Sequence, residues 1–287
     1  MKIDFRCYDC TFKLILELSE KLGDNGEKSK AIANEMLSRF VEVSSAGGTP
    51  PELLAYLWGD INVRESGKAD PMKEIKQNST ALALKLLPKL RETVAKSENP
   101  FDTALRFAAA GNIIDYGINR DLDLAVVEDS IVSILNQPYD KQAAAELKKR
   151  MDKAKSIFYI LDNCGEAVID RLVMEPYKEK LVVGVRGKPV LNDVLREDAA
   201  ESGIDFAPIV DTGDGTAGVS FSRSGKEFME QLYSSDLVIA KGQGNFESME
   251  HIFDRPVFYL FRAKCQVISD LLKVPFNSIQ IVPRNLQ

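Results

Sequence analysis

The chain has 287 residues, of which 45% are hydrophobic and 28% are charged, and its formal net charge is -6. This composition is typical of a soluble globular protein of one or two domains and excludes a disordered chain or a fibre. The negative charge disfavours contacts with nucleic acid or an anionic membrane, and no apolar run approaches the ~20 residues needed to span a bilayer. We therefore expect a cytoplasmic protein that binds neither nucleic acid nor a membrane.

The first half of the sequence has helical patterns. Apolar residues recur at helical spacing from Thr11 to Leu22 and again around Met36. Thr49-Pro50-Pro51-Glu52 combines a hydroxyl cap, a proline in the first turn and an acid three residues after the cap, which predicts a helix across Leu53–Trp58. A longer helix is predicted from Asp70 to Val94, kinked or divided at Pro88 because proline lacks an amide hydrogen.

A mostly apolar helix is predicted from Phe101 to Gly117, and its apolar surface indicates burial on several sides. Asn112 and Asp115 share one face of this helix because they lie three residues apart. A buried polar pair needs partners, which are either structural or part of a substrate. Two more helical patterns follow, near Leu124–Leu135 and Lys141–Lys155.

The second half alternates strand and helix patterns. The apolar run Ile157–Leu161 predicts a buried strand. Four more strands are predicted at Leu181–Val185, Phe206–Val210, Leu237–Ala240 and Val257–Phe261, and helices near Glu166–Met174, Val190–Ser202 and Lys226–Tyr233. This alternation predicts a mainly parallel sheet with both faces covered. We expect an α/β protein: a helical domain over residues 1–150, then a three-layer α/β/α Rossmann-like domain over residues 151–287.

Polar residues follow the predicted strands, and in a parallel sheet these strand ends converge at one edge. Asp162 and Asn163 follow the first strand, and Asp193 lies in the loop after the second. Carboxylate and amide oxygens suit a hard cation such as magnesium or manganese, which usually keeps waters and substrate phosphate among its ligands. These three side chains are therefore the candidate metal ligands.

Lys241 ends a strand beside Gly242 and Gly244, where the backbone allows an anion to approach and the ammonium can pair with it. A phosphate suits such a loop, and the alternative is a solvated lysine. The glycine-rich loop from Gly213 to Gly218 lacks the acid that a dinucleotide site requires about 20 residues further on, which disfavours a Rossmann cofactor.

Histidine and cysteine offer fewer possibilities. His251 is the only histidine, so a histidine-rich zinc site is excluded, and we expect His251 at the surface or an interface. Cys7 and Cys10 form a single Cys-x-x-Cys pair, which suits half a zinc site or a redox pair. The alternative is a packing contact, for which Cys265 is a candidate partner. The packing contact is favoured because no second pair has the usual spacing.

Several of these segments closely resemble successive motifs of the damage-control phosphatase family. They are Leu161-Asp162-Asn163-Cys164-Gly165-Glu166 with Asp170, Lys188-Pro189-Val190-Leu191-Asn192-Asp193-Val194, and Lys241-Gly242-Gln243-Gly244-Asn245-Phe246-Glu247. The Asn112 segment and the Cys-x-x-Cys pair are similar to the family's compact archaeal and bacterial branch. The resemblance spans nearly the whole chain, with the motifs in the family's order.

The resemblance implies a hydrolase, a metal-dependent phosphatase acting on sugar phosphates or related damaged phosphometabolites. By motif match, Asp162, Asn163 and Asp193 would bind magnesium, manganese, cobalt or nickel, and Lys241 would bind phosphate and belong to the catalytic group. Further substrate-binding positions are Asn112, Glu166, Asp214 and Glu247. Water and Asp162 are alternative nucleophiles. The small-molecule phosphate ester is the partner expected.

Two other functions are compatible with the same segments. One is an S-adenosylmethionine-dependent carboxyl methyltransferase, whose first strand also ends at an acidic, glycine-containing turn. Such enzymes need a glycine-rich loop at that point, whereas Asp162–Glu166 contains one glycine. The other is a non-catalytic phosphometabolite-binding protein, which would use Lys241 but has no need of three converging oxygen ligands.

Overall fold

The computed structural model describes residues 1–111 and 133–286, which form a mixed α/β fold with a mainly parallel sheet. The predicted fold class is therefore confirmed. Asn112, Asp115 and most of the helix predicted near Leu124–Leu135 lie outside the described residues.

The described residues before the sheet are mainly helical. The α-helices are α1 (Cys7–Leu22), α2 (Glu27–Ser45), α3 (Pro50–Leu54), α4 (Val63–Ser66), α5 (Lys73–Lys96), α6 (Pro100–Ala110) and α7 (Lys141–Lys153). A π-helix, Ala55–Asn62, joins α3 to α4, and a 3-10 turn, Ile134–Asn136, precedes α7.

The Thr49 capping box is present as predicted: the Thr49 side chain accepts a hydrogen bond from the Glu52 backbone, and the Glu52 carboxylate accepts one from the Thr49 backbone. Pro88, by contrast, does not divide α5, which continues to Lys96. The neighbouring side chains Leu86, Leu87 and Leu90 are buried, and this packing offsets the backbone hydrogen bond that proline cannot make.

Six strands form one sheet in the order β3-β2-β1-β4-β5-β6. All neighbours are parallel except β5 and β6, which are antiparallel. The strands are β1 (Ile157–Ile160), β2 (Leu181–Val185), β3 (Ile209–Asp211), β4 (Leu237–Lys241), β5 (Val257–Arg262) and β6 (Ile279–Arg284). The helices among them are α8 (Glu166–Met174), α9 (Arg196–Glu201), α10 (Lys226–Ser234), α11 (Gly242–Met249) and α12 (Gln266–Leu272), with a 3-10 turn at Glu175–Lys180.

Several elements differ from expectation. Strand β3 starts at Ile209, later than the predicted Phe206, and α9 is shorter than the predicted Val190–Ser202 because residues before it form the loop that carries Asp193. Strand β6 was not predicted. It is an antiparallel edge strand containing Pro283, and such a strand tolerates proline because it needs backbone partners on one side only.

The sheet is covered on both faces, which explains why its central strands are uniformly apolar. Phe158 and Ile160 pack with α10, α11 and α12, whereas Ile157 and Tyr159 pack with α5 to α8. Helices α1 to α3 and the π-helix enclose a separate cluster around Phe40 and Leu57. The later helices of the first half thus share a core with the sheet, and the predicted division at residue 150 stays a prediction. Among residues 1–111 and 133–286, none of the helices combines the length and the apolar character that a bilayer span requires.

Candidate active site

The candidate site lies at the carboxyl ends of the central strands. β1 pairs with β2 on one side and β4 on the other, so the order of the strands reverses between β1 and β4. Loops leave such a point in opposite directions and open a crevice, the usual ligand position in open α/β sheets. Asp162 follows β1, and Lys241 ends β4.

The three predicted metal ligands are brought together by backbone pairing. Asn163 and Asp193 face each other in an isolated antiparallel bridge. The Val194 amide donates to the Asp162 carbonyl at 2.8 Å, and the Cys164 amide donates to the Asn192 carbonyl at 2.9 Å. Asn163 Nδ2 also donates to Asp162 Oδ2 at 2.9 Å. The bridge and the two backbone hydrogen bonds therefore hold the loops after β1 and β2 side by side.

The electrostatics of these residues favour a bound cation. Burial, followed by repulsion from Asp193 and Glu166, raises the pKa of Asp162 well above its usual range. Burial also raises the pKa of Asp193, although the Arg186 guanidinium opposes this shift. Crowded carboxylates of this kind are stabilised by positive charge.

The donor set fits a hard divalent cation with an incomplete protein shell. Asp162, Asn163 and Asp193 offer two carboxylates and one amide oxygen, which are the ligand types that Mg²⁺ and Mn²⁺ take alongside water and substrate phosphate. Among residues 1–111 and 133–286, no three His, Cys, Asp or Glu side chains are grouped to hold a metal ion.

Lys241 points into the protein. Its fully buried ammonium donates to Asp170 Oδ1 at 2.7 Å, to the Ala108 carbonyl at 2.9 Å and to Glu166 Oε1. The Tyr159 hydroxyl donates to the same Asp170 oxygen at 3.1 Å. An ammonium has three hydrogens, so these three acceptors use its donor capacity. The predicted contact between Lys241 and phosphate stays a prediction, and in this structure Lys241 holds Glu166 beside Asn163.

The remaining predicted site residues have different surroundings. The Asp214 side chain accepts from the Thr216 amide at 2.6 Å and from Ser224 Oγ at 3.2 Å, so it orders its own loop. The Glu247 side chain accepts from Gln243 at 2.7 Å, and burial raises the pKa of Glu247 to about 7. Its backbone carbonyl accepts from the amino terminus. None of these contacts links the two carboxylates to the three candidate metal ligands.

The structure adds two basic residues to the site that the sequence did not single out. Arg186 Nε lies 2.7 Å from Asp193 Oδ2, and the side chain is buried. Lys264 follows β5, is exposed, and its charge helps to offset the rise in the Asp162 pKa that burial causes. Both residues follow predicted strands, at the edge of the sheet where the other candidate residues converge. This position after a strand is the sequence feature that could have identified them.

Gly242 explains how β4 approaches the first loop. Its φ is +80°, a conformation that favours glycine, and a Cβ built there would lie 2.1 Å from Asp162 Cγ. The glycine therefore leaves the space that the Asp162 carboxylate occupies.

Comparison with known proteins decides the family. Residues 3–278 match the damage-control phosphatase ARMT1-like domain. The chain belongs to this family. The damage-control phosphatase family inferred from the motifs is therefore confirmed.

Relatives of the ARMT1-like family match along almost the whole chain. The chain is 28% identical to a damage-control phosphatase of Pyrococcus horikoshii, over 97% of each chain. It is 30% identical to a damage-control phosphatase of Archaeoglobus fulgidus, over 94% of each chain. Its fold is similar to the crystal structure of a DUF89 family protein from Pyrococcus horikoshii, with a TM-score of 0.85, 26% identity and coverage of 99% of both chains.

Proposed function

We propose that this damage-control phosphatase family member hydrolyses phosphate monoesters of small metabolites, such as sugar phosphates or damaged phosphometabolites, and that it requires a divalent cation. The observation that carries the proposal is the grouping of Asp162, Asn163 and Asp193 at the carboxyl edge of the sheet. The two relatives named as damage-control phosphatases support the same class of reaction.

Asp162, Asn163 and Asp193 would hold the cation through two carboxylates and one amide oxygen. When bound, Mg²⁺, Mn²⁺, Co²⁺ or Ni²⁺ would supply positive charge that stabilises the phosphoryl oxygens during transfer. Asp162 is the ligand best placed to meet substrate because its side chain is 14% exposed, compared with 3% for Asp193. Water and Asp162 are the alternative nucleophiles.

The surrounding residues position and attract the phosphate ester. Lys264 is exposed near Asp162, so its ammonium favours the approach of an anionic substrate. Lys241 anchors Glu166 and Asp170 behind the metal ligands. Phosphoryl transfer depends mainly on positioning and electrostatic stabilisation, and these residues can provide both.

The test is hydrolysis of a panel of phosphate monoesters by metal-stripped protein to which Mg²⁺, Mn²⁺, Co²⁺ or Ni²⁺ is returned. We expect metal-dependent release of phosphate and a loss of at least about 100-fold in Asp193→Ala, since even groups that only support metal ligands contribute 10- to 100-fold. Asp152→Asn is the control because Asp152 is an exposed partner of Lys148, on a helix away from the site.

Four results would contradict the proposal. Activity that persists without metal, or full activity in Asp193→Ala, would exclude the assigned metal site. Calorimetric binding of S-adenosylmethionine without phosphatase activity would favour a methyltransferase. Binding of a phosphometabolite without turnover under any of the four metals would favour a non-catalytic binding protein.

A further inference from the structure

Arg186 connects the strand-end loops through a single buried guanidinium. It follows β2, and its side chain is only 1% exposed. Nε donates to Asp193 Oδ2 at 2.7 Å. Nη1 donates to the Gly218 carbonyl at 3.0 Å and to Asn245 Oδ1 at 3.2 Å. These partners belong to the segments that follow β2, β3 and β4, respectively.

The third nitrogen faces the segment that follows β1. Arg186 Nη2 lies 3.7 Å from Asp162 Oδ1, which is close enough for an ion pair but too long for a hydrogen bond. Nη2 is buried and has no hydrogen-bond partner in the part of the chain that the structure describes. A buried donor that lacks a partner is uncommon, and this one is directed at a proposed metal ligand.

The fork shape of the guanidinium matters because each of its nitrogens faces a different group. One planar group reaches the Asp193 carboxylate, two other loop segments and the vicinity of Asp162. A lysine in its place would keep the positive charge but has a single nitrogen on a flexible stem, so it cannot address the same four directions. The carboxylates of Asp193 and Asp162 would then no longer be aligned by one side chain.

We infer that Arg186 is a positioning residue for the cation site: it aligns the Asp193 carboxylate through Nε and the Asp162 carboxylate through Nη2, so that both face one divalent ion. This inference rests on the proposed metal site and extends it to a residue outside the ligand set. Closure of the 3.7 Å gap by a small rotation of the Asp162 carboxylate would give Nη2 its acceptor.

The experiment is titration of metal-stripped full-length protein with Mn²⁺, followed by calorimetry or by the paramagnetic resonance of free Mn²⁺. We expect Arg186→Lys and Arg186→Met both to raise the Mn²⁺ dissociation constant at least about 10-fold, as loss of a group that orients metal ligands does. Arg196→Lys is the matched control because Arg196 is 54% exposed and pairs with Asp211 outside the ligand set.

The titration also separates positioning from a general structural role. Urea unfolding of each variant shows whether it is folded, and a folded Arg186→Lys protein that binds Mn²⁺ within twofold of wild type would overturn the inference. If both Arg186 variants fail to fold, Asn245→Ala replaces them, since it removes one acceptor of Nη1 and keeps the guanidinium. We expect at least threefold weaker Mn²⁺ binding in Asn245→Ala, and unchanged binding would overturn the inference.

The outcome distinguishes this inference from the proposed function. Wild-type protein that binds Mn²⁺ but hydrolyses no phosphate ester would contradict the phosphatase assignment while the effect of Arg186 on Mn²⁺ affinity could still be observed. Wild-type protein that binds no divalent ion would overturn both. Phosphatase activity with an unaltered Mn²⁺ constant in folded Arg186→Lys would overturn only the role of Arg186.

Discussion

Asn163 and Asp193 face each other in an isolated antiparallel bridge, which ties the loop after β1 to the loop after β2. The bridge fixes the backbone of two proposed metal ligands, so their side chains need little reorganisation to reach one ion. Asp162 is drawn into the same arrangement because its carbonyl accepts from the Val194 amide at 2.8 Å. A site held by backbone pairing loses less conformational freedom on binding than one formed by mobile side chains.

Gly242→Ala should weaken metal binding by displacing Asp162. The added Cβ would lie 2.1 Å from Asp162 Cγ, so the carboxylate must move. Gly67→Ala is a matched control: Gly67 also has a positive φ, of +65°, but a Cβ there meets nothing within 4 Å. Both variants place an alanine at a positive φ, and only Gly242→Ala should lose Mn²⁺ affinity in a titration. Equal affinities in the two variants would refute this explanation.

Lys241→Met should strongly destabilise the fold. The ammonium pairs with the buried carboxylates of Glu166 and Asp170, and removal of one partner of a buried ion pair typically costs about 3–5 kcal/mol. The free energy of unfolding from urea titration measures this loss. Lys96→Met should change that free energy little, because Lys96 pairs with Glu92 on an exposed helical surface. A similar small effect for Lys241→Met would mean that the buried pairing is unimportant.

Glu247→Gln should stabilise the protein at neutral and alkaline pH. Burial raises the pKa of Glu247 from 4.5 to about 7 in the folded state. The unfolded chain therefore loses this proton first, and wild-type stability falls as the pH rises from about 4.5 to 7 and is then constant for this group. Because one pKa unit corresponds to about 1.4 kcal/mol, the variant should be more stable by about 3 kcal/mol at pH 8.

The difference between wild type and Glu247→Gln should shrink below about pH 4.5, where both the folded and unfolded wild-type chains carry the proton. Urea unfolding at pH 4, 6 and 8 measures it. Glu179→Gln should show no such pH dependence, since the Glu179 side chain is 90% exposed. A difference for Glu247→Gln that is constant across this range would exclude the raised pKa.

Lys264→Ala should raise the KM for a phosphate ester roughly 3- to 10-fold at low ionic strength and leave kcat nearly unchanged, because an exposed cation mainly attracts the substrate. The effect should decrease in 0.5 M salt, where the screening length falls to a few ångströms. Lys226→Ala, at a position 90% exposed on α10, is the control and should leave KM unaltered. A salt-independent loss of kcat would instead place Lys264 in direct contact with the reacting phosphate.

Local sequence determined the central elements and the first candidate residues. The apolar runs Leu181–Val185 and Leu237–Ala240 were predictable because a strand covered on both faces is apolar throughout. The Thr49 capping box was predictable because its hydrogen bonds lie within four residues. Asp162 and Asn163 were identified because polar residues directly after a buried strand lie at the functional edge of a parallel sheet.

Only the tertiary structure decided which side chains meet. Three features depend on strands that are distant in sequence: the bridge between Asn163 and Asp193, the inward direction of Lys241, and the position of Arg186 between the strand-end segments. Edge strand β6 was missed for the same reason, since its partner β5 is set by tertiary pairing. Periodicity reports which residues are buried, whereas the contacts of a buried charge depend on the long-range order of the strands, β3-β2-β1-β4-β5-β6.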